Sequence, residues 1–300
     1  MVEPAIDPAA GTGRLAMLGD TSTELAERIL HIWRDFWVDY PVGNQVLAHL
    51  QSLYERPRTH RPPCCTIYGD TNSGKSHIAL KFARDHKVPE LKAEEQAYMP
   101  VVMVTNPPHG DLRGFYTATL NRIGAPFAPS TRLDRLLEQM LGHLTRLRTR
   151  MLIVDEIQHI LAGKVDQRTM FMNCLKYLSN ELQIPVVAVG TLGALRTLYS
   201  DPQLANRFES TPVPRWEANQ DYAVFLTRLA AQMGLEKRSE FRRRDIVIRF
   251  HAMTEGLTGE TRKLMGCAAE TAIRSGREII DPETLEATPW LRPGERKKGL

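Results

Sequence analysis

Residues Gly69-Asp70-Thr71-Asn72-Ser73-Gly74-Lys75-Ser76 spell a complete G-x4-G-K-S loop. The glycines of such a loop let successive backbone N–H groups turn inward around phosphate oxygens. Lys75 has the reach for the β- and γ-phosphates, and the Ser76 hydroxyl is a ligand for Mg²⁺. The phosphate-contacting stretch extends to His77, the start of a helical pattern running to Arg84. A loop with four fixed positions can arise by chance, and a second element argues against that. Met151-Leu152-Ile153-Val154-Asp155-Glu156 is an apolar strand ending in two carboxylates. Asp155 is suited to hold Mg²⁺ through its water shell, and Glu156 to polarise the water that attacks the γ-phosphate. Taken alone, the two carboxylates read as a solvated strand end; with the loop upstream they imply ATP and Mg²⁺ chemistry.

Loop and carboxylates must be brought together by the elements between them. Periodicity predicts strand 64–68, helix 75–86, strand 101–105, helices 111–123 and 131–147, strand 151–155, helix 167–182 and strand 185–190. This is the βα alternation of a parallel sheet covered on both faces, with short strands that are almost wholly apolar. Leu133, Leu136, Leu137, Met140, Leu141, Leu144 and Leu147 trace a helical stripe lasting only two heptads, which favours packing on the sheet over a coiled coil.

Upstream, residues 1–20 are rich in Pro, Ala and Gly and read as a mobile N-terminus. Thr21-Ser22-Thr23-Glu24 has capping-box spacing and opens an amphipathic helix to Trp33. A second helix, about Asn44 to Glu55, carries Val46, Leu47, Leu50 and Leu53 on one face. Residues 21–56 are therefore expected to pack on a nucleotide domain spanning 57–216. Beyond Pro212 and Pro214 helical patterns follow at about 219–233, 242–254, 260–275 and 282–288, with Asn219, Thr258 and Asp281 as caps. They form a predicted helical domain, 217–290, before a frayed basic tail, 291–300. No internal repeat is present.

With 42% apolar residues the chain can bury a real core. It contains no 18-residue apolar run and no secretory pattern, so a cytoplasmic protein without a membrane partner is expected. Cys64, Cys65, Cys174 and Cys267 lack metal-site spacing and read as reduced core residues. A net charge of only +4, with a pI near 8.9, leaves room for an anionic partner without identifying nucleic acid.

A nucleotide domain followed by a helical lid resembles the AAA+ ATPases. The resemblance implies an α/β P-loop domain with a parallel five-stranded sheet, then a small all-helical lid. Thr191, after Pro185-Val186-Val187-Ala188-Val189-Gly190, stands at the first sensor position and also reads as the cap of helix 192–199. Arg207, in Leu204-Ala205-Asn206-Arg207-Phe208, resembles the finger that reaches the γ-phosphate of a neighbouring subunit, a role that requires a homo-oligomer. Its plainer reading is an ion pair with Glu209 or Glu217. Gly259-Glu260-Thr261-Arg262 matches the G-x-x-R of the second sensor, against a solvated Glu260/Lys263 helix face. Tyr40, Pro41 and Val42 lie where such proteins form the adenine pocket, and read equally as a turn packed on the domain.

More particular stretches are Asp155-Glu156-Ile157-Gln158-His159-Ile160-Leu161-Ala162-Gly163, then Asn173 to Pro185, then Arg207-Phe208-Glu209 with Pro214-x-Trp216. They resemble the TniB/TnsC family of transposition ATPases, with similarity from about Tyr40 to Arg274. The resemblance implies assembly as a ring or filament on double-stranded target DNA, recruitment of a DDE transposase, a TniQ-like target-selection partner, and disassembly on ATP hydrolysis. For DNA contact the Pro/Gly-rich segment Thr105 to Arg113 is favoured, with His109 and Arg113 meeting the phosphate backbone. The basic run Lys237 to Arg244 reads as a DNA surface, a transposase surface or a solvated helix start. No zinc-finger spacing is present, and from the short stretch after the last predicted helix no appended winged-helix domain is expected. A helicase-loader-like replication ATPase and a nucleotide-gated scaffold with negligible turnover are the alternatives.

Overall fold

The structure, a computed structural model, describes residues 12–87, 97–108, 111–161 and 164–296. His109, residues 1–11 of the predicted mobile N-terminus and residues 297–300 of the predicted tail lie outside that range. In chain order the elements are α1 (Thr12–Trp33), α2 (Pro41–Glu55), β1 (Cys64–Tyr68), α3 (Lys75–Asp85), β2 (Val101–Thr105), α4 (Leu112–Arg122), α5 (Leu133–Arg146), β3 (Met151–Asp155), α6 (Gln158–Leu161) and α7 (Val165–Leu182). There follow β4 (Val186–Gly190), α8 (Leu192–Tyr199), α9 (Pro202–Ala205), β5 (Phe208–Pro212), α10 (Gln220–Ala231), α11 (Arg244–Thr254), α12 (Thr258–Arg274), α13 (Pro282–Ala287) and α14 (Pro293–Arg296).

The chain forms two compact units, one spanning Asp39–Arg215 and the other taking residues up to Val38 together with those from Trp216 onward. In the first, five parallel strands lie in the order β2-β3-β4-β1-β5. Every residue of β3 and β4 is buried, because helices cover both faces of the sheet. The predicted stripe on α5 packs into this core through Leu136, Met140 and Leu144. β5 escapes the apolar pattern: Glu209 and Ser210 are exposed, and only Phe208 of the strand is fully buried. It is an edge strand, paired with β1 alone, where Pro212 removes no ladder bond that a second neighbour would need.

In the second unit α12 is the hub, packed against α1, α10, α11 and α13. Tyr222 is fully buried, and its hydroxyl lies 3.1 Å from Thr254 Oγ1 and 2.9 Å from Thr261 Oγ1. Asn219 and Asp281 cap their helices as expected, their side chains accepting from the N–H groups of Tyr222 and Thr284. Four expectations need correction here. α1 starts at Thr12, so Thr21 is not a cap; Leu15-Ala16-Met17-Leu18 are good helix formers and carry the helix upstream. The expected block 21–56 is divided, because α1 packs on α12 while α2 packs on α3 in the sheet-bearing unit. Thr258 is the first helical residue rather than the cap, and its hydroxyl accepts from Trp216 Nε1 at 3.1 Å. Finally, the expected frayed tail is helical at α14, where Arg296 pairs with buried Glu260 at 2.9 Å and lies over the Trp290 ring. Burial of that carboxylate also removes the solvated Glu260 face expected on α12.

Candidate functional site

All five strands point the same way, so the loops leaving their C-terminal ends gather at one edge of the sheet. β4 lies between β1 and β3, and its register sets Gly190 level with Tyr68. Thr191, one residue on, therefore stands between the loop leaving β1 and the carboxylates leaving β3. Its side chain accepts from the Ala194 N–H at 3.4 Å, so it does cap α8.

The loop after β1 is shaped by two close constraints. Gly74 takes φ of 96°, a left-handed conformation that a side chain would strain, and so turns the chain into the first turn of α3. At Gly69 a Cβ would strike the carbonyl oxygen of Val213, in the segment following β5. Asn72 also has positive φ, at 65°. Asp70, Thr71 and Asn72 are exposed, whereas Gly74, Ser76 and His77 are half-buried at the N-terminus of α3. The N–H groups of that first turn, with the helix dipole, suit an anion.

Lys75 is buried, at 8% exposure, and folds back so that Nζ donates to Asp70 O at 2.6 Å and Ser73 Oγ at 3.4 Å. Burial lowers its pKa from the usual lysine value, and the nearby charges of Glu156, Asp155 and Asp70 oppose that shift. The ammonium thus lies within electrostatic reach of the carboxylates after β3, a convergence the spacing could only imply. Asp155 is 5% exposed; its Oδ1 accepts from the Glu156 N–H at 2.8 Å, which holds the carboxylate at the strand end. Arg215 pairs with Asp70 at 2.6 Å across the mouth of the loop.

Glu156 adopts φ of 56° and is surrounded by groups that spacing did not single out. Gln158 Nε2 donates to its Oε2, and His159 Nε2 lies 3.8 Å from the same oxygen. Asn106 follows β2, with its N–H donating to Asp155 O at 3.0 Å. Its side chain is 1% exposed and neither amide atom has a partner among the described residues. The one signal for Gln158 and His159 was their place in the Asp155-to-Gly163 stretch.

Other expected contacts are held elsewhere. Tyr40 is buried, with its ring against Gly43, and is the N-cap residue of α2; Pro41 and Val42 form the first helical turn. Tyr40 is thus packed within its turn, whereas Pro41 is exposed and Val42 half-buried. Arg113 donates to Pro129 O at 3.4 Å and Thr131 O at 2.7 Å, tying the start of α4 to the loop before α5. Arg207, at the start of β5, donates to Asn180 Oδ1 at 2.5 Å rather than pairing with Glu209 or Glu217. Arg262, in the helical unit, donates to Ile32 O and, at 3.2 Å, to Arg34 O, with the Phe36 ring 4.6 Å away. Burial lowers the pKa of that guanidinium, with Asp35 opposing. The cysteines are free, and burial pushes the Cys65 thiol up to about 12, where it is chemically inert. Among the described residues no helix is long and apolar enough to cross a membrane, and no group of three or more His, Cys, Asp or Glu could hold a metal ion.

Strand order, the loop after β1 and the carboxylates after β3 together define a P-loop AAA+ fold. Solved structures share it: Aeropyrum pernix Orc1 in complex with DNA, at 18% identity and TM-score 0.62, is matched over 87% of this chain and 68% of that one. Cdc6p from Pyrobaculum aerophilum, at 19% identity and TM-score 0.61, is matched over 90% and 73%. The RuvB Holliday junction branch migration motor of Thermotoga maritima, at 13% identity and TM-score 0.52, is matched over 82% and 67%. At these identities the likeness is one of fold. No curated protein matches the chain. Residues 28–218 match the family model described as Bacterial TniB protein, and the chain belongs to that family of transposition AAA+ ATPases.

Proposed function

We propose that this protein is an ATP-hydrolysing regulator of DNA transposition. In this reading it assembles on double-stranded target DNA, recruits or activates a DDE transposase, and leaves the DNA when ATP is spent. The observation that carries the reading is the convergence of the loop, Lys75 and Asp155-Glu156 at one edge of a parallel sheet, in a chain of the TniB family.

The residues fit a magnesium triphosphate. N–H groups of the loop and of the first turn of α3, through His77, receive the phosphate oxygens, and Lys75 neutralises them. The Ser76 hydroxyl and Asp155 would hold Mg²⁺, which spreads the charge developing on the transferred phosphoryl group. Glu156 accepts the proton of the attacking water as ATP becomes ADP and phosphate, and Thr191 supplies a hydroxyl beside the same edge. Arg207 lies at the other end of the sheet, at the start of β5, and so serves a neighbour's nucleotide; assembly is then part of catalysis.

Duplex contact is supported by family membership and by the fold shared with an Orc1 that was solved on DNA. Contacts to the backbone would give steep salt dependence and little sequence preference. A TniQ-like protein is the expected target-selection partner. A nucleotide-gated scaffold is the second reading, favoured by the hydrogen bond from Gln158 that occupies one oxygen of the Glu156 carboxylate. Hydrolysis with and without duplex DNA, in wild type and Glu156→Gln, decides between them. DNA-stimulated turnover lost in the variant supports the enzyme. Equal, negligible turnover in both supports the scaffold. Micrographs with duplex DNA and a non-hydrolysable ATP analogue test assembly: no oligomer on DNA would overturn both readings.

A further inference from the structure

At the N-terminal ends of β1 and β5 the sheet-bearing unit holds a cavity of about 620 Å³, lined by Arg56, Arg61, Lys176, Asn180, Arg207 and Glu209 among others. Its charges are unevenly answered. Lys176 is neutralised by Asp201 at 2.6 Å, and the Glu209 carboxylate lies 3.7 Å from His49 Nε2. Arg207 is held by a neutral amide, Asn180. Arg56 and Arg61 flank the Pro-rich approach to β1, are exposed, and make no hydrogen bond or ion pair among the described residues. Three guanidinium groups therefore line one concave site without a carboxylate bound to any of them. Like charges gathered in this way repel until an anion sits among them, and the planar fork of arginine matches phosphate oxygens.

The anion cannot be the nucleotide held by the same chain. β1 has five residues, about 16 Å at ~3.3 Å per residue, and the phosphate loop leaves its far end. Nor does a duplex suit the cavity, since its phosphates line a rod too broad to enter. The volume lies within the ~300–1,000 Å³ typical of small-ligand sites.

We infer that this cavity receives the triphosphate of a nucleotide bound to a second copy of this chain, with Arg61 and Arg56 contacting phosphate beside Arg207. The inference rests on the reading of Arg207 under the proposed function and enlarges it from one trans-acting arginine to three.

The test mixes an Arg61→Ala chain, whose loop is intact, with a Lys75→Ala chain, whose cavity is intact, and measures ATP hydrolysis on duplex DNA. A parallel mixture pairs Arg207→Ala with Lys75→Ala. Arg61 is exposed and unpartnered, so its truncation leaves the fold; an unchanged melting temperature checks this. Arg61→Ala alone should lose roughly 10- to 100-fold in turnover, with the ATP affinity of the unassembled protein unchanged, and Arg56→Ala/Arg61→Ala should lose more. Turnover in the Arg61→Ala mixture above the sum of its components supports the inference. If only the Arg207→Ala mixture recovers, the finger stands and the enlarged site is overturned. If neither recovers, the trans reading of Arg207 fails and the cavity inference falls with it. Should Arg61→Ala keep full turnover but bind duplex DNA more weakly with a shallower salt dependence, the cavity edge is a DNA contact and the inference is wrong.

Discussion

The two ends of one five-stranded sheet carry opposite chemistry. At the C-terminal end, backbone N–H groups, a buried lysine and two carboxylates converge. At the N-terminal end, arginines gather around a cavity with little to neutralise them. A parallel sheet makes this separation unavoidable, because every strand delivers its outgoing loop to one edge and its incoming segment to the other. If the proposed function holds, a single copy carries the groups that would grip and attack a triphosphate at one end and those that would stabilise its departing charge at the other. On the proposed function, the difference means that the complete catalytic set would belong to an assembly.

The sharpest way to break this comparison is at the arginine end. Arg207→Ala should lower DNA-stimulated turnover by about 10³-fold or more, measured as phosphate release, while nucleotide binding by the unassembled chain is unchanged. A matching loss of binding would place Arg207 at its own chain's site and dissolve the contrast between the ends. At the carboxylate end, Glu156→Gln should cost about 10²- to 10⁴-fold in turnover and leave long-lived oligomers on DNA; an unaltered rate would remove Glu156 as the base. Lys75→Ala should weaken ATP binding by roughly 10- to 100-fold, the effect of losing charge-assisted bonds, and with it ATP-dependent assembly. Calorimetric titration checks the affinity.

Smaller effects sharpen the comparison from outside both ends. Arg262 is bound to carbonyl groups at the end of α1 and just beyond it, so Arg262→Ala should destabilise the protein by about 1–2 kcal/mol. ATP affinity should not change. A fall in affinity without a fall in melting temperature would instead make it a lid arginine. The smallest effect belongs to Glu278, whose pKa Arg28 holds below the usual 4.5 from 2.6 Å away. A depressed carboxylate stabilises the fold above its unfolded value and loses that contribution as pH falls through the folded one. Glu278→Gln should therefore cost ~1 kcal/mol or less at neutral pH, and the difference from wild type should vanish under acidic conditions below 4.5.

What could be read from residues alone was whatever local spacing encodes. The loop 69–76 and the apolar strand ending at Asp155-Glu156 announce themselves because phosphate binding demands glycines and a lysine at fixed offsets. Strands buried on both faces must likewise be apolar throughout. β1 to β4 were legible for that reason; β5 was not, because an edge strand can expose Glu209 and Ser210. Spacing could also nominate Arg207, Arg262, Arg113 and Tyr40, since their types and positions suited the chemistry. It could not say where their side chains are engaged, because hydrogen-bond partners such as Asn180, Ile32 O and Thr131 O lie far away in sequence. The same limit hid Asn106, which meets Asp155 from the end of β2, and Arg56 and Arg61 beside Arg207, whereas Gln158 and His159 are neighbours of Glu156 in sequence that spacing alone gave no role. Only the tertiary structure decided which end of the sheet each group occupies, because strand order and direction are properties of long-range pairing that no local pattern contains.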